Sequence, residues 1–235
     1  MEALALRDIT LVVHDFGGPI ALPLAFETPV RVVVINSWMW ASEGDPEIAR
    51  IDRLVRSPLG RCLYRWLGVS ARMILPHAFG DPRRLTRTLH WHYLQPLSSR
   101  RAREGTYALA CALRGSDAHY DSLWQRRDSL AALPLTLIWG ERDPVLTRVH
   151  RDRWLQAFPA ARRISVADAG HFVAEERPDV IIAALRDFPG DSPQEAACRT
   201  AREDPIYDGS SVQRIACGDR RKSHPLRSAT RNCTR

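Results

Sequence analysis

Three side chains in this sequence have the types and the placing needed for nucleophilic catalysis: Asp15, Asp143 and His171. Asp15 follows the β-branched run Leu11-Val12-Val13-His14 and is followed at once by Phe16-Gly17-Gly18-Pro19. A strand running into one chemically active residue and then glycines describes a tight strand-to-helix turn that holds the residue up and exposed. Glycines suit such a turn because backbones approach closely there. A carboxylate at the apex suits displacement at an sp³ carbon through an alkyl ester on the protein. Asp143 lies in Leu135-Thr136-Leu137-Ile138-Trp139-Gly140-Glu141-Arg142-Asp143-Pro144, an apolar strand ending in a glycine-containing loop. His171 ends the run Ile164-Ser165-Val166-Ala167-Asp168-Ala169-Gly170-His171, another strand followed by a loop. A histidine of this kind can activate water, and a carboxylate behind it can hold its tautomer and stabilise its charged form. Asp168 is a weaker rival for that acid because it stands only three residues before His171. His14 reads as a packed scaffold residue beside the nucleophile.

These residues must be carried by strands and helices in alternation. The β-branched and apolar runs predict strands over Ile9–Val13, Arg31–Ile35, Leu135–Trp139 and Arg162–Val166. Helices are expected from Gly17, over Arg148–Phe158 and over Pro178–Phe188. Pro19 is acceptable in a first helical turn, whereas Pro23 lacks a donor one turn further in. Between the second and third strands lies an insertion rich in arginine and aromatics. In it Ile48, Ile51, Leu54 and Val55 form one amphipathic stripe, and Tyr107–Leu113 forms a second apolar helix. The alternation predicts an α/β fold with a mostly parallel sheet. Three chemical residues past the C-terminal ends of such strands match where open α/β sheets bind ligands.

With these pieces assembled, the sequence resembles the haloalkane dehalogenases of the α/β-hydrolase superfamily. The resemblance rests on His14-Asp15-Phe16-Gly17-Gly18-Pro19-Ile20, Asn36-Ser37-Trp38-Met39-Trp40, the run from Leu75 to Trp124, Trp139-Gly140-Glu141-Arg142-Asp143-Pro144 and Asp168-Ala169-Gly170-His171. It covers Leu4 to Phe188 and implies a partial α/β-hydrolase fold of about four strands. It implies Asp15 as nucleophile, His171 as base and Asp143 as its acid. It also implies an oxyanion donor at the Phe16 backbone N–H, and halide or substrate contacts from Phe16, Asn36, Trp38 and Trp40. In the family a tryptophan usually follows the nucleophile and gives the halide an indole donor; Phe16 has none. Trp38 or Trp40 would supply it, or both are cap-core aromatics. Epoxide hydrolases share the Asp nucleophile, and for them Tyr93 and Tyr107 are the candidate phenols, against a plain core role. The family carries further strands ahead of the nucleophile strand, so the chain reads as an amino-truncated member, and an inactive fragment is a third reading. The implied divisions are hydrolase core 1–37, helical cap 38–118, core 119–189 and a disordered tail 190–235.

Composition narrows the partners. The 45% hydrophobic content can supply a core, and no stretch reaches the length of a membrane span. The net charge of +7 invites a nucleic-acid reading, but the basic residues are scattered and not set on one aromatic-interleaved face. Nearly all are arginine; Lys222 is the one lysine. The five cysteines show no metal-ligand spacing, and Cys62 and Cys111 read as buried thiols. The expectations are a small-molecule substrate, haloalkane or related, with no cofactor, no metal, no nucleic-acid partner, no membrane and a cytoplasmic location.

Overall fold

The structure is a computed structural model and describes residues 8–187 with Leu6 and Ile206–Tyr207. Strand β1 (Thr10–Asp15) leads into helix α1 (Gly17–Ala25), and β2 (Arg31–Ser37) follows. Helices α2 (Pro46–Arg56), α3 (Pro58–Cys62), α4 (Leu75–Ala78), α5 (Arg87–Leu94), α6 (Arg100–Gly115) and α7 (Asp117–Gln125) then fill the insertion. Two π-helical turns, Leu63–Leu67 and Ser70–Ile74, join α3 to α4. The chain returns to the sheet in β3 (Leu135–Gly140), then α8 (Arg148–Ala157), β4 (Arg162–Val166), α9 (Val173–Glu176) and α10 (Pro178–Arg186). With a short β5 (Ile206–Tyr207), the sheet order is β1-β2-β3-β4-β5, every pair parallel.

Alternation along the strands builds two cores. Val32 and Val34 of β2, with Leu137 and Trp139 of β3, face Leu22, Trp154 and Phe158. Val33, Ile35, Ile138, Ile164 and Val166 face the opposite way, onto Val180, Ile181 and Ala184 of α10. The unbroken apolar runs of β2 and β3 follow from this, since a parallel strand covered on both sides needs apolar residues at every position. β1 is covered less completely. Val13 is buried, but Val12 is 43% exposed, and no strand pairs with the outer edge of β1 among the described residues.

Several expectations change in detail. β1 and β2 run two residues further than expected and β3 one, β1 reaching Asp15 itself, while β4 spans the expected residues. β5 (Ile206–Tyr207) falls within the segment expected to be a disordered tail and pairs with β4. These two β-forming residues meet the free edge of β4; the rest of that expectation lies outside the described residues. α1 continues through Pro23 to Ala25. Proline cannot donate to the carbonyl one turn back, that of Pro19. That carbonyl instead faces His119 Nε2 of α7 at 3.4 Å. The stripe on α2 is only half covered: Ile48 and Val55 are buried, whereas Ile51 and Leu54 are 42% and 58% exposed. Cys62 is exposed, against the expectation of a buried thiol. No helix among the described residues is long and apolar enough to cross a membrane.

Candidate active site

The end of β1 departs from regular geometry where the chemistry is expected. Pairing with β2 slips between His14 and Asp15, and Asp15 has φ +50°, a left-handed backbone that few non-glycine residues adopt. The turn is held by Ser37, whose hydroxyl donates to the Asp15 carbonyl at 2.6 Å. A Cβ on Gly18 would stand 2.0 Å from Ser37 Oγ and 2.8 Å from the Trp38 carbonyl oxygen, so the close approach that calls for glycine is here. At Gly17 the nearest atom would be 3.9 Å away, an ordinary contact. The two glycines are therefore not equivalent, which their adjacency in sequence does not reveal.

The structure brings Asp15, Asp143 and His171 together. His171 Nδ1 is 2.7 Å from Asp143 Oδ2, and Nε2 on the other side of the ring is 3.8 Å from Asp15 Oδ1. The histidine is buried, whereas the Asp15 side chain is 40% exposed. Asp143 is fully enclosed, and its carboxylate is saturated. Oδ1 accepts the N–H groups of Val145 at 2.8 Å and Leu146 at 3.0 Å; Oδ2 accepts Asn36 Nδ2 at 2.7 Å in addition to His171. Burial alone would raise its pKa, but the histidine and these donors outweigh it and hold the carboxyl below its usual range. Burial likewise opposes charge on His171, yet the hydrogen bonds and charges of Asp143 and Asp15 prevail and raise it to about 10.

Asn36, expected to contact substrate or halide, is tied to the acid loop. It has φ +33° and is wholly buried. Its Oδ1 accepts the Gly140 N–H at 2.8 Å, and its Nδ2 donates to Asp143. The amide is committed to the acid loop on both its atoms. Phe16 caps the start of α1 with its ring edge-on to Trp38, at 4.9 Å between centroids. Trp38 therefore lies beside the nucleophile turn, packed also on Tyr120. Trp40 packs among Trp124, Trp154 and His150 in the core.

His14 touches the group of Asp15, His171 and Asp143 from the side. Its Nε2 donates to the His171 carbonyl at 2.9 Å, and the two rings lie 4.7 Å apart. Burial, and then the charge on His171, hold His14 below the ordinary histidine range. Asp168 points elsewhere, bonding Arg84 at 2.6 Å and Arg177 at 2.9 Å. Tyr93 donates to Glu175 at 2.8 Å and lies against Phe172, and Tyr107 packs on Tyr64. One residue that pattern reading missed is Glu176, a buried carboxylate close behind His171 in sequence. No group of three or more His, Cys, Asp or Glu among the described residues could hold a metal ion.

A family model described as alpha/beta hydrolase family matches residues 1–184. The chain is 27% identical over 192 residues to a cis-3-alkyl-4-alkyloxetan-2-one decarboxylase of Shewanella oneidensis, covering 77% of this chain and 60% of that protein. It is 25% identical over 177 residues to haloalkane dehalogenase 2 of Mycobacterium tuberculosis, covering 73% and 61%. It thus spans about three fifths of the length of these relatives. The fold is that of solved haloalkane dehalogenases: a DatA variant from Agrobacterium tumefaciens has TM-score 0.66 at 24% identity, covering 79% of this chain and 68% of that one. DbeA from Bradyrhizobium elkani has TM-score 0.67 at 19% identity, covering 85% and 70%. On this match and on its sheet of parallel strands, the chain belongs to the alpha/beta hydrolase family and is similar to its haloalkane dehalogenases.

Proposed function

We propose that the chain carries the catalytic residues of a hydrolase that displaces a leaving group at carbon, with haloalkanes as its substrate class. Residues 38–118 form its cap in this reading. An Asp15 oxygen attacks the carbon bearing the halogen. A C–O bond forms as the C–halogen bond breaks, and the bonding pair leaves as halide. The product is an alkyl ester on Asp15. A water oxygen then adds to the ester carbonyl while His171 Nε2 takes its proton. The tetrahedral adduct expels the alkoxide, which His171 protonates to the alcohol. One water is consumed, and alcohol, halide and one proton are released.

The observation that carries this reading is the carboxylate at the apex of a left-handed turn, 3.8 Å from the Nε2 of a histidine whose Nδ1 is held by an enclosed acid. The raised His171 pKa, about 10, fits the order of steps. While Asp15 is ionised, two carboxylates keep the imidazole protonated, and in-line attack needs no base. Alkylation turns Asp15 into a neutral ester and deletes one of those charges. The imidazole then loses its proton more readily, at the step that requires a base. Trp38 beside Phe16 is the indole assigned to the leaving halide, while Trp40 serves packing. An open cleft of about 310 Å³, lined by Val69, Met73, Ile74, His77, Ala78, Pro144 and Val145, adjoins the acid loop.

A second reading is favoured by Phe16. In a strained cyclic electrophile, an epoxide or an oxetan-2-one, the leaving oxygen stays tethered to the substrate and needs no halide cradle. The same Asp15 attack would open the ring. Incubating a His171→Gln variant with a short bromoalkane, and separately with an epoxide and an oxetan-2-one, separates the two. The expected result is an alkyl adduct trapped on the Asp15 peptide, found by mass spectrometry, with halide released from the bromoalkane. Adducts from the rings alone would favour the second reading. Substrate consumed with the Asp15 peptide unmodified would exclude both.

A further inference from the structure

The His171 loop is fixed from below by a set of contacts that the chemistry above does not use. Glu176 is 5% exposed and ends α9. Its Oε1 accepts the Gly170 N–H at 2.7 Å and the Gly80 N–H at 3.1 Å, and its Oε2 accepts the Asp81 N–H at 2.9 Å. The next N–H along, that of His171 itself, donates to the Ala78 carbonyl at 2.8 Å. Two chain segments far apart in sequence thus lie against each other. One is Ala78–Asp81, where the helical insertion leaves α4. The other is Ala169–His171, which presents the imidazole.

The backbones meet at contact distance. A Cβ on Gly170 would stand 2.4 Å from both the Ala78 carbonyl and the Gly80 nitrogen, so only glycine admits this seating. Around it, Arg84 bonds both the Glu176 carbonyl and Asp168, and Arg177 bonds Asp168 from the other side. Arg142 of the acid loop donates to the Gly80 carbonyl at 3.2 Å. A carboxylate accepting several N–H groups forms strong, directional bonds. A buried one that serves three donors on two segments leaves neither segment free to shift alone.

We infer that Glu176 is a positioning residue for the proposed hydrolysis: it brackets the His171 loop to the root of the helical insertion and so sets where Nε2 stands relative to Asp15. The kinetic arm of this inference rests on the displacement reading; the exchange arm does not. His171 is needed for ester hydrolysis and not for attack by Asp15. Displacing it therefore slows the second step alone, and an angstrom of misplacement is enough for about tenfold to a hundredfold.

The test uses the whole 235-residue chain and its Glu176→Gln variant. The glutamine keeps the shape but turns an N–H group toward at least one N–H donor. With a short bromoalkane, the expected result is alkylation within about twofold of the unmodified chain and adduct hydrolysis slowed about tenfold or more. Equal slowing of both steps would make Glu176 a packing residue and overturn the inference. Hydrogen exchange on the unmodified chain reads the same bracket without any substitution. The amides of Gly80, Asp81 and Gly170 are expected to exchange together, in one opening event. Three unrelated rates would overturn the bracket even if the variant failed to fold. Absence of any adduct in either chain would count against the displacement reading, with the exchange result still judging the bracket.

Discussion

The charge on His171 is set by two neighbours that differ in kind. Asp143 is enclosed and saturated with donors, and its charge persists through every proposed step. Asp15 is partly exposed, and in the proposed reaction its charge is lost on conversion to an ester. Asp15→Asn imitates that loss without changing the shape. We expect the His171 imidazole in this variant to titrate at least about one pH unit below the unmodified chain, read from the imidazole resonances by NMR. An unchanged midpoint would show that the nucleophile does not govern the base. The sign for stability follows from the same pair. The folded pKa of His171, about 10, lies above the ordinary histidine value of 6.5. Its contribution is therefore fully present below about pH 6.5 and is lost as pH rises through 10. Asp143 works in the opposite sense, being lowered from 3.8, so its contribution is lost as pH falls through its depressed folded value. Thermal melts across alkaline pH should show the first loss, and it should be smaller in Asp15→Asn.

The nucleophile turn is a place where two elements touch through one missing side chain. Gly18 seats α1 against the end of β2, while Gly17 only starts the helix. Gly18→Ala should destabilise by about 1–3 kcal/mol or more, because the obstructing atoms include the Trp38 backbone. Gly17→Ala should be close to neutral or slightly stabilising. Chemical denaturation of the two variants checks this, and equal costs would mean that the turn is not seated as described. The sequence announced a turn here but not which glycine bears the contact. That depends on Ser37 and Trp38, which reach the turn only once β1 and β2 are paired. The same holds for Asn36. Its residue type and strand-end position suggested a site residue, yet its partner Asp143 lies 107 positions away and only sheet register makes them meet. Order, spacing and strand ends were legible for Asp15, Asp143 and His171 because each property is local. Glu176 was illegible because all three of its donors are backbone groups, which leave no mark in sequence. Half of the α2 stripe, Ile51 and Leu54, misled in the other direction: periodicity gives a face, but not what covers it.

For the molecule as a whole, the sheet is well covered from β2 to β4 and open beside β1. Val12 is exposed, and the outer backbone groups of β1 have no strand partner among the described residues. An uncharged, β-branched edge is a template for association. This 235-residue chain, expressed alone, is expected to self-associate. Val12→Lys should reduce association without touching Asp15, which sedimentation velocity at several concentrations would measure. A monomer at every concentration, with the same single melting transition in both chains, would show that the edge is not sticky.

A helix with a proline near its end is ordinarily counted as flawed, and Pro23 in α1 fits that description. Its missing donor leaves the Pro19 carbonyl open, and His119 of α7 faces it. The vacancy thus acts as a socket, and the plug comes from the far end of the helical insertion. Replacing Pro23 with alanine would repair the helix and fill the socket at once, trading a local gain for a lost attachment between α1 and α7. A better helix would then be a less firmly attached one, and the proline reads as part of a joint between α1 and α7.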